Sequence, residues 1–262
     1  MEVCRARIAA GLLLTGLLAA CAGTPAGAPA AAGSPDRIGG PLSVFAAASL
    51  TDAFKEAGAA FRRQHPALTI QFNFAGSQAL LGQLNQGAPA DVFASADEPT
   101  MQRLVDSGEA AGRPRIFATN RLQIVVGPGN PKAIRSLSDL AAPDTVVVLC
   151  APSVPCGSYA AQALSRAGVK VAARSQEQDV KAVVTKVALG EADAGIGYVT
   201  DVRAAASKVQ GIDIPADQNV VAAYPITTVR GGPNRPAASA FIEFVLGPEG
   251  QGILAGHGFA KP

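Results

Sequence analysis

The sequence is poor in the residues that usually carry catalysis, metal binding or nucleic-acid recognition. It contains no tryptophan, only two histidines and an aromatic content of 5% in 262 residues. Its 22 lysines and arginines are nearly balanced by 20 aspartates and glutamates, and no basic run stands out, so nothing predicts a nucleic-acid partner. It also lacks CxxC and HExxH motifs and Cys/His clusters, so we expect neither a metal site nor a cofactor.

The scarcity of histidine also argues against a serine hydrolase. A nucleophilic serine needs a general base, and only His65 and His257 are available. His65 precedes a proline and His257 lies between two glycines, and the sequence contains no G-x-S-x-G elbow. We therefore expect a binding protein and not an enzyme.

The N-terminal residues predict export. Arg5 and Arg7 precede a short apolar stretch at residues 8–20. This pattern is typical of a signal peptide, and the stretch is too short for an ordinary membrane-spanning helix. We therefore expect an extracytoplasmic protein.

The end of this stretch predicts a lipid anchor. The segment Leu18-Ala-Ala-Cys21 resembles a bacterial lipobox, so we expect residues 1–20 to be removed as a lipoprotein signal peptide and Cys21 to carry the lipid. The alternative is a plain secretory signal with an incidental cysteine. Residues 21–40 are rich in Ala, Gly, Pro and Ser, which favours a flexible tether to the cell membrane.

Cysteine usage agrees with an exported protein. Of the four cysteines, Cys4 would leave with the signal peptide and Cys21 would be lipidated. The even pair Cys150 and Cys156 is then left, and its short, turn-rich spacing favours a disulfide. Two buried free thiols are the alternative.

The rest of the sequence alternates between apolar, strand-like runs and helical patterns, which indicates α/β layers with largely parallel sheets. The predicted strands cover residues 42–46, 69–74, 91–95, 121–126, 145–149, 194–198 and 220–229, the last in one or two pieces. The predicted helices cover residues 50–64, 77–86, 98–107, 157–167, 179–189, 200–207 and 235–255, the last with a break near Gly247-Pro248.

Two predicted strands end in small residues and a serine, directly before a predicted helix. Ser49 follows Ala46-Ala-Ala, and Ser77 follows Phe74-Ala-Gly. The first N–H groups of a helix have no acceptor within it and the helix dipole is positive there, so such a junction favours an anion. Serine is also a common N-cap, so one junction alone decides little. The pair favours a shared anion site.

A set of segments in fixed order resembles a known family. The segments are Phe45-Ala-Ala-Ala-Ser49-Leu-Thr-Asp52, Phe74-Ala-Gly-Ser77, Gly87-Ala-Pro-Ala-Asp91-Val-Phe-Ala-Ser-Ala-Asp97, Val154-Pro-Cys156-Gly-Ser-Tyr159 and Gly195-Ile-Gly-Tyr198. Together they resemble the periplasmic substrate-binding proteins of bacterial molybdate ABC transporters, here in lipoprotein form. The resemblance covers essentially all of residues 41–262.

This resemblance implies an α/β, two-lobed periplasmic-binding-protein fold of type II, with each lobe a mainly parallel sheet flanked by helices. Lobe 1 would comprise residues 41–121 plus 224–262, and lobe 2 residues 122–223. It also implies a monomer that delivers its ligand to the permease and ATPase subunits of an importer.

The family binds a tetrahedral oxyanion between the lobes, and the resemblance assigns five residues to that site. Ser49 and Ser77 would each contribute a hydroxyl and a backbone N–H. Cys156 and Val180 would contribute backbone N–H groups, and Tyr198 a hydroxyl. The family more often has alanine at the position of Cys156, but a backbone donor does not depend on its side chain.

Such a set of donors suits an anion that only accepts hydrogen bonds. Molybdate, tungstate and sulfate are fully deprotonated dianions near neutral pH, whereas phosphate keeps a proton and needs an acceptor. We expect molybdate, with tungstate as a second ligand. The alternatives are another oxyanion such as sulfate, or a sensor lipoprotein of the same fold.

Overall fold

The computed structural model describes residues 38–262, which belong to one structural unit. The predicted signal peptide, the lipidation site Cys21 and residues 21–37 of the tether lie outside the described residues. Between residues 38 and 262, no helix is both long enough and apolar enough to cross a bilayer.

The described residues form nine strands and eight α-helices. The strands are β1 (Gly40–Ala47), β2 (Leu68–Ala75), β3 (Val92–Ala94), β4 (Arg115–Val126), β5 (Val147–Cys150), β6 (Ser175–Glu177), β7 (Ala194–Tyr198), β8 (Gln210–Asp213) and β9 (Val221–Thr228). The helices are α1 (Thr51–Gln64), α2 (Ser77–Asn85), α3 (Glu98–Asp106), α4 (Pro155–Arg166), α5 (Val180–Ala188), α6 (Val199–Ala204), α7 (Arg235–Leu246) and α8 (Pro248–Gly256). Short 3-10 helices occupy Ala48–Leu50 and Leu137–Ala141.

Hydrogen-bonded strands follow the order β2-β1-β3-β9-β4-β7-β5-β6, and β8 also pairs with β4. Strand β1 is parallel to β2 and β3, and β5 is parallel to β6 and β7. All pairings of β4 and β9 are antiparallel. The α/β expectation is confirmed, but the sheet is mixed.

The antiparallel strands explain this difference from a mainly parallel sheet. Alternating strands and helices predict parallel neighbours only where a crossover helix returns the chain to the same edge. β4 is followed by residues 127–136, which contain two prolines and two glycines and form no helix. It therefore pairs with its neighbours in the opposite direction, as does β9 in the centre of the path.

Strand β4 joins two halves of the structure. Its residues 115–121 pair with β9, whereas residues 122–126 pair with β7 and β8. The change of partner falls between Arg121 and Leu122. One half is built around β1, β2 and β3, and the other around β5, β6 and β7.

The helices pack closely on these strands. In the first half, Phe54 of α1 packs against Phe117 of β4 and Phe241 of α7, with ring centroids 5.7 and 5.9 Å apart. In the second half, Gly195 of β7 lies so close to α5 that a Cβ there would overlap the side chain of Val183. This contact holds α5 closely against β7.

Candidate functional site

A small cavity of about 210 Å³, part of it open to solvent, lies between the two halves. Its lining consists of small apolar residues, hydroxyl residues and one acidic residue, namely Ala47, Ala48, Ser49, Gly76, Ser77, Ala96, Val154, Pro155, Cys156, Asp179, Val180 and Tyr198. All five residues that the sequence analysis assigned to an oxyanion site are among them. The structure therefore brings these five positions together, from segments up to 149 residues apart (49 to 198).

Helix beginnings surround this cavity. Ser77 and Val180 are the first residues of α2 and α5, and Cys156 is the second residue of α4. Ser49 lies in the 3-10 turn that leads into α1. N–H groups in a first helical turn have no acceptor within their own helix, and the positive end of each helix dipole lies at this same end of the helix. The cavity thus combines unpaired donors with a positive potential.

The hydroxyl of Ser77 is set up to donate. Its Oγ accepts a hydrogen bond from the backbone N–H of Ala96, with N and Oγ 3.0 Å apart. Because a hydroxyl carries only one proton, this contact uses an acceptor position and leaves the O–H free. The proton of Ser77 is therefore available to a ligand in the cavity.

Ser49 has a comparable partner in Tyr224. Its Oγ lies 3.0 Å from the Tyr224 hydroxyl, and either group can be the donor. Both side chains are buried. When Tyr224 donates, the proton of Ser49 is free in the same way as that of Ser77.

The Tyr198 hydroxyl is buried and has no hydrogen-bond partner among the described residues. Its side chain lines the cavity, and the whole residue is only 1% exposed. Burial raises the pKa of Tyr198 well above its usual value, so the hydroxyl keeps its proton and acts as a donor. A buried polar group without a partner costs about 1–3 kcal/mol.

The cavity lining offers little negative charge and no positive side chain. Asp179 is its single acidic member, and Oδ1 accepts a hydrogen bond from the backbone N–H of Ala182 at 3.0 Å, as an N-cap of α5 does. Asp179 thus serves as the N-cap of α5. Neutral donors and helix dipoles therefore face a ligand here.

Cys150 and Cys156 form a disulfide, with Cα atoms 5.8 Å apart. This is the bridge that the sequence favoured. It ties the beginning of α4 to the end of β5. Gly157 permits this close approach, because a Cβ at that position would overlap the carbonyl of Ala151. The backbone at Cys156 is held rigidly at the cavity as a result.

Sequence reasoning missed the residues that support the donors. Tyr224 lies in a predicted strand but 175 residues from Ser49, so no local pattern connects the two. Ala96 lies inside the segment from Gly87 to Asp97 that carries the family resemblance. That resemblance was the one feature of the sequence that pointed to a role for Ala96. Its backbone role needs the folded structure to be seen.

A cluster of charges borders the two halves beside the cavity but does not line it. Lys181 Nζ lies 2.9 Å from Asp52 Oδ2 and 3.6 Å from Asp201 Oδ1. The hydrogen bond from Lys181 lowers the pKa of Asp52. Burial raises the pKa of Asp201 to about 7, and the neighbouring Lys181 ammonium opposes that rise.

Two α/β halves with a buried, donor-lined cavity between them define the class of extracytoplasmic solute-binding proteins. A family model described as "Bacterial extracellular solute-binding protein" matches residues 42–260. The chain belongs to this family, whose members serve as substrate-binding proteins of ABC transporters. It is a binding protein and not a hydrolase.

Comparisons with individual proteins are more specific than the family model. The chain is 41% identical over 255 residues to the molybdate-binding protein ModA of Mycobacterium tuberculosis, covering 97% of each. The periplasmic molybdate-binding protein of Azotobacter vinelandii has a similar fold, with a TM-score of 0.75, 21% identity and coverage of 84% and 99%. The sulfate-binding protein SubI of M. tuberculosis is also similar, with a TM-score of 0.77, 21% identity and coverage of 84% and 86%. The structural matches show the fold alone, and the printed names of these two proteins give different ligands.

Proposed function

We propose that the protein captures molybdate, and tungstate as well, outside the cytoplasm and delivers it to the permease and ATPase of an ABC importer. The 41% identity to a molybdate-binding protein over nearly the whole chain supports this ligand. The donor-lined cavity supports an oxyanion independently of any relative.

We assign the ligand contacts to five residues. The hydroxyl and backbone N–H of Ser49 and Ser77 would bind from one side. The backbone N–H groups of Cys156 and Val180 and the hydroxyl of Tyr198 would bind from the other. A tetrahedral dianion offers only acceptors, and each of these groups is a donor.

The unpaired hydroxyl of Tyr198 is the observation that carries the proposal. Folding buries this donor in the cavity without a partner among the described residues, at a cost in stability. A ligand oxygen in the cavity would supply the partner. The site is therefore organised for an acceptor that arrives from outside.

The two halves would act as lobes that close on the anion, lobe 1 with residues 41–121 plus 224–262 and lobe 2 with residues 122–223. The change of partner in β4 after Arg121 supports the first crossing. β9 pairs with the first part of β4 from Val221 onward, which supports a second crossing a few residues before 224. The protein would act as a monomer, anchored through lipid on Cys21.

Sulfate is the main alternative ligand, because it has the same charge and also only accepts hydrogen bonds. Size can separate them: molybdate and tungstate are nearly equal in size, and sulfate is smaller. Donors fixed on two lobes meet the oxygens of one radius, so a smaller anion would leave some hydrogen bonds stretched. Each lost bond to a buried charged group costs about 1–3 kcal/mol.

Calorimetric competition at neutral pH tests the assignment. We expect tight and similar binding of molybdate and tungstate, and sulfate and phosphate weaker by orders of magnitude. Ser77→Ala should weaken molybdate binding about tenfold to a hundredfold, whereas His65→Ala, outside the cavity, should leave it unchanged. Sulfate binding as tight as molybdate binding would move the protein to the sulfate class.

A further inference from the structure

Lys181 connects elements that belong to the two different lobes defined above. It lies on α5, one residue after the cavity residue Val180. Its ammonium donates a hydrogen bond to Asp52 on α1, with Nζ and Oδ2 2.9 Å apart. On its own side it lies 3.6 Å from Asp201 of α6. The contact with Asp52 therefore spans the gap between the lobes.

A second contact spans the gap nearby. Gln78 on α2 donates from Nε2 to the backbone oxygen of Gln178, at 3.0 Å. Gly76, next to this contact, lies so close to Gln178 that a Cβ would overlap its carbonyl oxygen. The two lobes are thus in direct contact on this side of the cavity, as in a closed form.

Asp201 explains why Lys181 is ready to make its contact. The Asp201 side chain has no solvent exposure, and neither carboxylate oxygen has a hydrogen-bond partner among the described residues. The ammonium of Lys181 is the positive group beside it, and a buried charge without a counterion is costly. Asp201 therefore holds the flexible lysine in place before Asp52 arrives.

We propose that Lys181 is a positioning residue that latches the closed lobes by bridging Asp201 of lobe 2 to Asp52 of lobe 1, and so slows release of the bound anion. This inference rests on the proposed function. Neither Lys181 nor Asp52 lines the anion cavity, so the latch acts on closure and not by contact with the ligand.

Asp52→Asn gives a test in which two explanations predict opposite changes in molybdate affinity. If charge acted only through its field, removing a carboxylate near an anion site would strengthen molybdate binding. A latch predicts weaker binding, caused by dissociation that is roughly twofold to fivefold faster, which is the scale of one partly exposed ion pair. The association rate should stay the same.

Lys186→Met is the matched control. Lys186 lies on the same helix and has nearly the same exposure, but its partner Glu177, 2.7 Å away, belongs to the same lobe. The variant removes one positive charge from α5 without touching the lobe contact, so molybdate dissociation should be unchanged. Lys181→Met should accelerate it, and adding Asp52→Asn to Lys181→Met should have no further effect.

Stopped-flow measurement of molybdate dissociation, with Ser77→Ala alongside, separates the two proposals. If Ser77→Ala leaves molybdate binding intact, the proposed site is wrong and the latch falls with it. If Ser77→Ala weakens binding but Asp52→Asn leaves dissociation unchanged or strengthens binding, the site stands and the latch is refuted. Faster dissociation in Lys186→Met, equal to that in Lys181→Met, would also refute the latch.

Discussion

Tyr198→Phe should change affinity and stability in opposite directions. The variant keeps the ring and removes only the hydroxyl, which is buried in the cavity and has no partner among the described residues. In the ligand-free protein the hydroxyl costs about 1–3 kcal/mol, so its removal should raise the free energy of unfolding by up to that amount. Most single substitutions in a buried region lower it.

The same variant should lose ligand affinity. A hydrogen bond from a hydroxyl to a charged ligand contributes about 1.5–3 kcal/mol. At 1.4 kcal/mol per factor of ten, molybdate binding should weaken about tenfold to a hundredfold. Burial keeps the pKa of Tyr198 high, so this loss should be the same from pH 6 to pH 8.

Urea unfolding without ligand and calorimetric titration with molybdate measure the two effects. Tyr159→Phe is the control, because Tyr159 is half-buried but does not line the cavity, and we expect its affinity to match the wild type. The reasoning would be refuted if Tyr198→Phe bound molybdate like the wild type. If Tyr198→Phe lowered the free energy of unfolding as much as Tyr159→Phe does, the Tyr198 hydroxyl would have a hydrogen-bond partner in the ligand-free protein.

Four further predictions concern other parts of the chain. Asp201→Asn should remove a pH dependence of the free energy of unfolding. Burial raises the pKa of Asp201 in the folded protein to about 7, from an ordinary value of 3.8. Below about pH 4 the carboxyl group is neutral in both states, so its burial does not require the loss of a charge from water. The wild type should then lose up to about 4 kcal/mol relative to the variant as pH rises from about 4 to 7 in urea unfolding, and a constant difference would contradict this. Replacing both Cys150 and Cys156 by serine should cost about 2 kcal/mol for a loop this short, and intact mass after alkylation without reductant should show no modified thiol in the wild type. Gly76→Ala should weaken molybdate binding at least tenfold, because its methyl group keeps the lobes apart, and unchanged calorimetric affinity would disprove that. Cys21→Ala should move the protein from the membrane fraction to the soluble fraction, or leave an uncut precursor, with ligand affinity unchanged; a wild type that is already soluble and unlipidated would contradict it.

Local patterns predicted most of the secondary structure because most elements have one strongly apolar face. Residues 194–198 were predicted as a strand and form β7 with the same bounds, since all five are buried. The helix break at Gly247-Pro248 is also confirmed, between α7 and α8. Proline tolerates the first position of a helix but not the interior, so the dipeptide gave a clear signal.

The missed elements lack such a face. β6 and β8 are short and contain mainly polar or small residues; β6 ends the strand path, and β8 lies off it and pairs with β4. The first part of β4, from Arg115 to Asn120, alternates irregularly because a bulge between Ile116 and Ala118 shifts the register. No periodic rule describes a strand whose register changes within it.

The five predicted donor positions all line one cavity, but their supports could not be foreseen. The donors come from strand–helix junctions, which are visible in sequence as small residues and a serine. Tyr224 and Lys181 act through contacts with Ser49 and Asp52 over more than 120 positions in the sequence. Such contacts follow from how the halves fold together, and one sequence does not encode them in any local pattern.

The absence of lysine and arginine from the cavity lining has a consequence for where this protein can work. An anion held by side-chain cations is weakened as dissolved salt screens those charges, over a distance of about 8–10 Å at ordinary ionic strength. Buried backbone dipoles and hydroxyls are screened much less by dissolved ions. A protein outside the cytoplasm meets whatever salinity its surroundings impose, and this cavity should hold its ligand almost equally well in dilute and in concentrated media.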